Sequence, residues 1–178
     1  MTVTRPLMGE PLPLDLLDTV WMENGSLRDV FDTPGALQGW LAEHEFPVDA
    51  PEREVREHLT EARESIRAFL QKHDDGEARL NSVLAHGTRN PRLVDGRPEV
   101  VDSVDDPAHL PGWNCAVEFL DLLERKPDRI RKCANHECVL WYLDTTRNGS
   151  RRWHSMETCG NRAKAKRFHD RHASEPPK

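Results

Sequence analysis

Apolar residues recur at helical spacing through the first two thirds of the chain. Leu37, Trp40 and Leu41 form a short stripe behind Thr33-Pro34, which reads as an N-cap followed by proline at the first helical position. Pro47 and Pro51 end that element. Val55, Leu59, Ala62, Ile66, Phe69 and Leu70, spaced three or four apart, predict a helix from about Glu52 to Lys72 with its acidic residues on the opposite side. Leu80, Val83 and Leu84 predict a shorter helix over Glu77 to Ala85. Arg92-Leu93-Val94 and Arg97 to Val101 flank Asp95-Gly96, the dipeptide of a tight primed turn, so a hairpin is expected with Pro98 on an edge. From Gly112 to Arg125 the polar residues Asn114, Glu118, Asp121 and Arg125 make one narrow stripe on an otherwise apolar helix. That predicts a largely buried spine, with Cys115 as a core residue. Over residues 11–23 the pattern fits a strand as well as a helical turn.

Composition narrows the class. The chain has 178 residues, 37% hydrophobic and 31% charged. No apolar run approaches the ~18–20 residues of a membrane-spanning helix, so no membrane partner is expected. Met1 to Glu10 has no basic segment followed by an apolar stretch, and four cysteines are too few for a disulfide scaffold; a cytoplasmic protein is expected. Charge is divided unevenly. Residues 1–124 hold 11 Lys+Arg against 25 Asp+Glu, a net of −14, whereas residues 125–172 hold 13 against 5, a net of +8. An acidic module is joined to a basic one that can meet phosphate. No catalytic constellation is legible in the acidic part, so no enzymatic activity is expected. His44, His58, His73, His86 and His109 fall singly and read as solvated or core residues.

The basic part carries the chemistry. Cys133 and Cys138 are separated by four residues; fifteen residues later come His154, four more residues, and Cys159. Two such pairs can close around one tetrahedral zinc ion per chain. His136 would crowd three ligands into one small loop and strand Cys159. His169 lies about three helical turns beyond Cys159. His154 is therefore the preferred fourth ligand. Val139 to Leu143 reads as a strand, Arg147-Asn148-Gly149-Ser150 as a turn, and Arg151 to Trp153 as the returning strand. Ser155 or Thr158 could cap a helix reaching about His172. Knuckle, hairpin and a helix bearing the last ligand is the order of a treble clef.

Cys133-Ala-Asn-His-Glu-Cys138, Trp141 to Trp153, and Ser155-Met-Glu-Thr-Cys159-Gly-Asn-Arg162 together resemble a CGNR-type zinc finger. That family has cysteine where His154 stands, so the site here becomes Cys3His. Leu14-Asp-Leu-Leu-Asp-Thr-Val20 and Trp40-Leu41 resemble, more weakly, the ABATE domain that precedes this finger; the family has asparagine at Asp18. The resemblance implies a bacterial, stress-related transcription regulator: a sensory or scaffold domain followed by a DNA-binding treble clef.

The expected fold is α+β. A mostly helical domain with a small β-hairpin spans residues 1–126, a treble-clef zinc finger 127–172, and a disordered tail 173–178. On the final helix Arg162, Lys164, Lys166, Arg167 and Arg171 share one side, extended by Arg151 and Arg152 from the hairpin, and these seven are the expected contacts to double-stranded DNA. The acidic domain is expected to bind a small-molecule effector or to form a homodimer. A zinc-stabilised adaptor for protein or RNA is the competing reading. A metal-dependent nuclease is disfavoured, because four protein ligands leave the metal no open position.

Overall fold

Prolines at the first turn of a helix forgo an N–H that no helical bond needs. Pro11 and Pro13 accordingly open α1 (Leu12–Leu17), which is buried along nearly its whole length. The computed structural model describes residues 4–47 and 49–165. The undecided segment resolves into both alternatives: α1 is followed by β1 (Val20–Glu23), paired antiparallel with β2 (Ser26–Asp29). Asn24 and Gly25, at φ 51° and 82°, make the primed turn between them.

α2 (Ala36–Glu43) begins later than Thr33 predicts. The Ala36 N–H donates to the Thr33 carbonyl at 3.1 Å, closing a Pro34-Gly35 turn, and Gly35 takes the left-handed φ of 76° that such a turn requires. Thr33 is thus the first residue of a turn and not a helix cap. α3 (Glu52–Leu70) and α4 (Gly76–Leu84) lie where their periodicity places them. The hairpin is longer than expected, with β3 (Gly87–Val94) and β4 (Arg97–Val104) joined at Asp95-Gly96. Each strand of a two-stranded ribbon keeps one free edge, which accommodates both Pro91 and Pro98. α5 (Leu110–Arg125) starts two residues before Gly112. Trp113, Cys115, Ala116 and Phe119 are buried, but Leu120 is exposed, so only one face of the C-terminal half serves the core.

α1, α3 and α5 enclose a core of Leu14, Leu17, Leu59, Ile66 and Phe119. A Cβ on Gly112 would lie 2.8 Å from the His58 carbonyl oxygen; its absence lets α5 approach α3. The same cluster continues without a break into Ile130, Leu140, Trp141 and Leu143, so the two modules share one interior. Among the described residues, no helix is long and apolar enough to cross a membrane.

Candidate metal centre

A three-residue ladder positions the first pair of ligands. β5 (Ile130–Lys132) runs antiparallel to β6 (Trp141–Leu143), and the Cys133 N–H donates to the Leu140 carbonyl at 3.0 Å beyond the ladder's end. Between them the chain turns tightly around Asn135, whose backbone carbonyl accepts from Cys138 N (2.9 Å) and whose side-chain oxygen accepts from Glu137 N (3.2 Å). The partner of β6 is therefore β5, and the return strand expected over Arg151 to Trp153 does not form. The Asp144 carboxylate accepts from Thr146 N at 2.9 Å and Arg151 N at 3.0 Å, which coils this segment out of the sheet. Ala134 N, donating to the Arg152 carbonyl at 2.8 Å, holds the segment beside the knuckle.

The second pair sits on a cap and a wide turn. The Ser155 hydroxyl accepts from Thr158 N at 3.3 Å. Met156–Gly160 then form one π-helical turn, with Gly160 N donating to the Ser155 carbonyl, before regular helix over 161–165. Met156 lies over Gly160, where a Cβ would meet its sulfur at 2.8 Å.

Cys133, Cys138, His154 and Cys159 are all buried, and their donor atoms lie within 4.8 Å of one another. His154 Nδ1 is 3.5 Å from Cys138 Sγ. Zinc bonds of about 2.3 Å to sulfur and about 2.0–2.1 Å to nitrogen put the two donors about 3.5 Å apart in a tetrahedron, so this edge already has its zinc-bound length. His136 is exposed beside Glu137 and takes no part; His169 lies outside the described residues. Three thiols and an imidazole form a closed structural set for one zinc ion. The hydrogen bond from the Cys138 thiol holds Cys133 below the ordinary thiol range, and the same bond pushes Cys138 up. Burial pushes Cys159 up. Zinc must displace the remaining thiol protons, so acid weakens its retention.

Outer groups orient these ligands. Asn135 Nδ2 donates to Cys159 Sγ at 3.3 Å. Thr158 Oγ1 lies 3.3 Å from His154 Nε2, leaving Nδ1 to face the metal. Arg151 lies over the Tyr142 ring, 4.2 Å from its centroid, and donates to the carbonyls of Trp153 and His154. Its guanidinium thus braces the ligand-bearing backbone, where the sequence suggested a DNA contact. The ligand-orienting role of Asn135 is not among the sequence expectations; an amide enclosed between two ligand cysteines is the signal that marks it.

The acidic module completes the short sheet. On the free edge of β6, Trp141 N donates to Asp18 Oδ1 at 2.9 Å and Leu143 N to Glu10 Oε2 at 2.8 Å. Arg67 donates to the Leu17 carbonyl at 2.9 Å and to the Val139 carbonyl at 3.4 Å, spanning the two modules. Burial pushes Asp18 well above the carboxylate range, and Glu10 and Asp15 add to the effect. Asp18 Oδ2 has no hydrogen-bond partner among the described residues.

Of the other expected DNA contacts, Arg152 is exposed over the Trp153 ring, and Arg162 and Lys164 are exposed on the helix after Cys159. Lys166, Arg167 and Arg171 lie outside the described residues. An open groove of about 510 Å³ brings Arg125, Lys126, Arg129 and Arg147 together beside Asp128 and Asp144, a cationic surface that the helix-centred expectation did not include. Away from the zinc, His58, His86 and His109, read as isolated in sequence, meet beside Asp105.

Two family models match the chain. ABATE, described as "putative stress-induced transcription regulator", matches residues 10–126. The CGNR zinc finger matches residues 129–172. No curated protein matches.

Proposed function

The chain belongs to the ABATE family and carries a CGNR zinc finger, and from that premise we propose that it is a zinc-dependent, non-enzymatic regulator that binds double-stranded DNA in the bacterial cytoplasm under stress. The carrying observation is the pairing of a closed Cys3His zinc site with exposed cations on the helix that its last ligand opens. Such an ion supplies folding free energy and needs no open coordination position. In this reading the finger is a treble clef. Arg162, Lys164, Lys166, Arg167 and Arg171 meet the duplex, with Arg152 and the Arg125–Arg147 groove extending the phosphate-binding surface. The acidic domain, whose charge repels DNA, serves as the effector-binding or dimerisation module.

Salt dependence tests the reading. Neutralising about four to six phosphates gives a fall of log K with log salt at a slope of roughly −4 to −5. Alanine at all five of these cations, with zinc content unchanged, should remove most of that slope. Unchanged affinity in that variant would overturn the recognition-helix assignment. Absence of DNA binding at every salt concentration, with a protein or RNA partner retained, would replace the regulator by an adaptor.

A further inference from the structure

We propose that His86, Asp105 and His109 form a second metal site, separate from the Cys3His centre, that takes one exchangeable divalent transition-metal ion of the zinc, cobalt and nickel class. The β3–β4 ribbon builds it. Gly87 pairs with Val104, so the next residues outward, His86 and Asp105, stand opposite each other, and Asp105 N donates to the His86 carbonyl at 3.0 Å. The Asp106 carboxylate then accepts from Ala108 N at 2.8 Å, capping a 3-10 turn that carries His109 back to the same place. Asp105 Oδ2 lies 2.8 Å from His86 Nδ1, and Oδ1 lies 2.8 Å from His109 Nδ1. The two imidazoles stack with centroids 3.7 Å apart, and His58 of α3 packs 3.7 Å from His109.

Closing the base of the ribbon does not require this arrangement, because the Asp105–His86 backbone bond already does so. The side chains add something different: two imidazoles and a carboxylate gathered in one place, with donor atoms all within 4.8 Å of one another. Transition-metal bonds to such atoms are about 2.0–2.2 Å, so the stacked rings must turn about their side-chain torsions for one ion to replace the Nδ1–carboxylate hydrogen bonds. The donors select the metal class. Two nitrogens and a single carboxylate suit zinc, cobalt or nickel and are too poor in oxygen for calcium or magnesium. Asp105 is exposed and His86 half-buried, so the ion can enter from solvent. Three protein ligands leave positions for water, unlike the closed thiolate centre, and the net −14 of the surrounding module attracts cations.

The test uses untagged full-length protein carrying one zinc at the Cys3His centre. It is titrated with Co2+ and followed by calorimetry and by absorption. One further equivalent should bind without a thiolate-to-cobalt charge-transfer band, because this site has no sulfur. His86→Ala and His109→Ala should each abolish that equivalent at micromolar metal, and Asp105→Asn should weaken it, with zinc content still one. His58→Ala, beside the site but supplying no ligand, should retain it. Thermal melts verify that each variant is folded. Failure of the unmodified protein to bind a second equivalent overturns the proposal without any variant. So does a folded His86→Ala/His109→Ala protein that still binds it.

Discussion

His154 occupies a position where thiolate and imidazole are chemically interchangeable, since both present one soft or borderline donor to zinc. His154→Ala should therefore lose zinc on dialysis against a mild chelator, whereas His154→Cys should retain it. His136→Ala should behave as the unmodified protein, because that ring is exposed. Zinc content by mass spectrometry under native conditions checks all three. A different logic governs the buried carboxyls. Burial pushes Asp15 up, but hydrogen bonds from His44, Arg5 and Trp40 outweigh it and hold the group below its ordinary value. Its contribution is present above the unfolded-state value and disappears as pH falls through the folded one. Asp18 has the opposite sign. Because its folded value lies above the unfolded one, ionisation costs stability progressively as pH rises from the unfolded value toward the folded one. Asp18→Asn keeps the oxygen that accepts from Trp141 N and removes the ionisation. It should stabilise the protein by about 1 kcal/mol or more at pH 7–8, with the gain shrinking toward pH 4. Chemical denaturation at several pH values measures this.

At the level of elements, the zinc turn depends on metal more than the helices do. Chelation should disorder the knuckle and the turn after Ser155 while α3 and α5, packed through Leu59, Ile66 and Phe119, keep their helicity. Far-ultraviolet circular dichroism should change little as Trp141 and Trp153 fluorescence shifts. The helices were legible in sequence because their apolar residues repeat at helical spacing, and β3–β4 because Asp95-Gly96 announces its turn. The zinc ligands were legible from spacing alone. β1–β2 carries the equally clear Asn24-Gly25 but follows a short helix that blurs the pattern. β5 was illegible for another reason: Ile-Arg-Lys is only three residues long and owes its strand form to β6. The outer parts of the sites depend on distant partners. Asp18 meets Trp141 across 123 residues, and His86 meets Asp105 only through the register of a long ribbon. No local pattern encodes either contact.

Across the whole molecule, the two charge territories are fastened by Glu10 and Asp18, which reach one three-residue strand, and by Arg67, which reaches Val139 just before it. The acidic module thus fills, with side-chain oxygens, hydrogen-bonding positions that a neighbouring strand would otherwise occupy. Cutting the chain before Pro127 would leave the N–H groups of Trp141 and Leu143 bare beside the apolar faces of Leu140 and Trp141. A peptide of residues 127–178 should consequently bind zinc yet self-associate as concentration rises, in the manner of an unprotected sheet edge. Sedimentation of zinc-loaded peptide against full-length protein would show the difference. For protein engineers, this finger is not a portable cassette: moving it to a new host requires a replacement for the two carboxylates that shield its open strand.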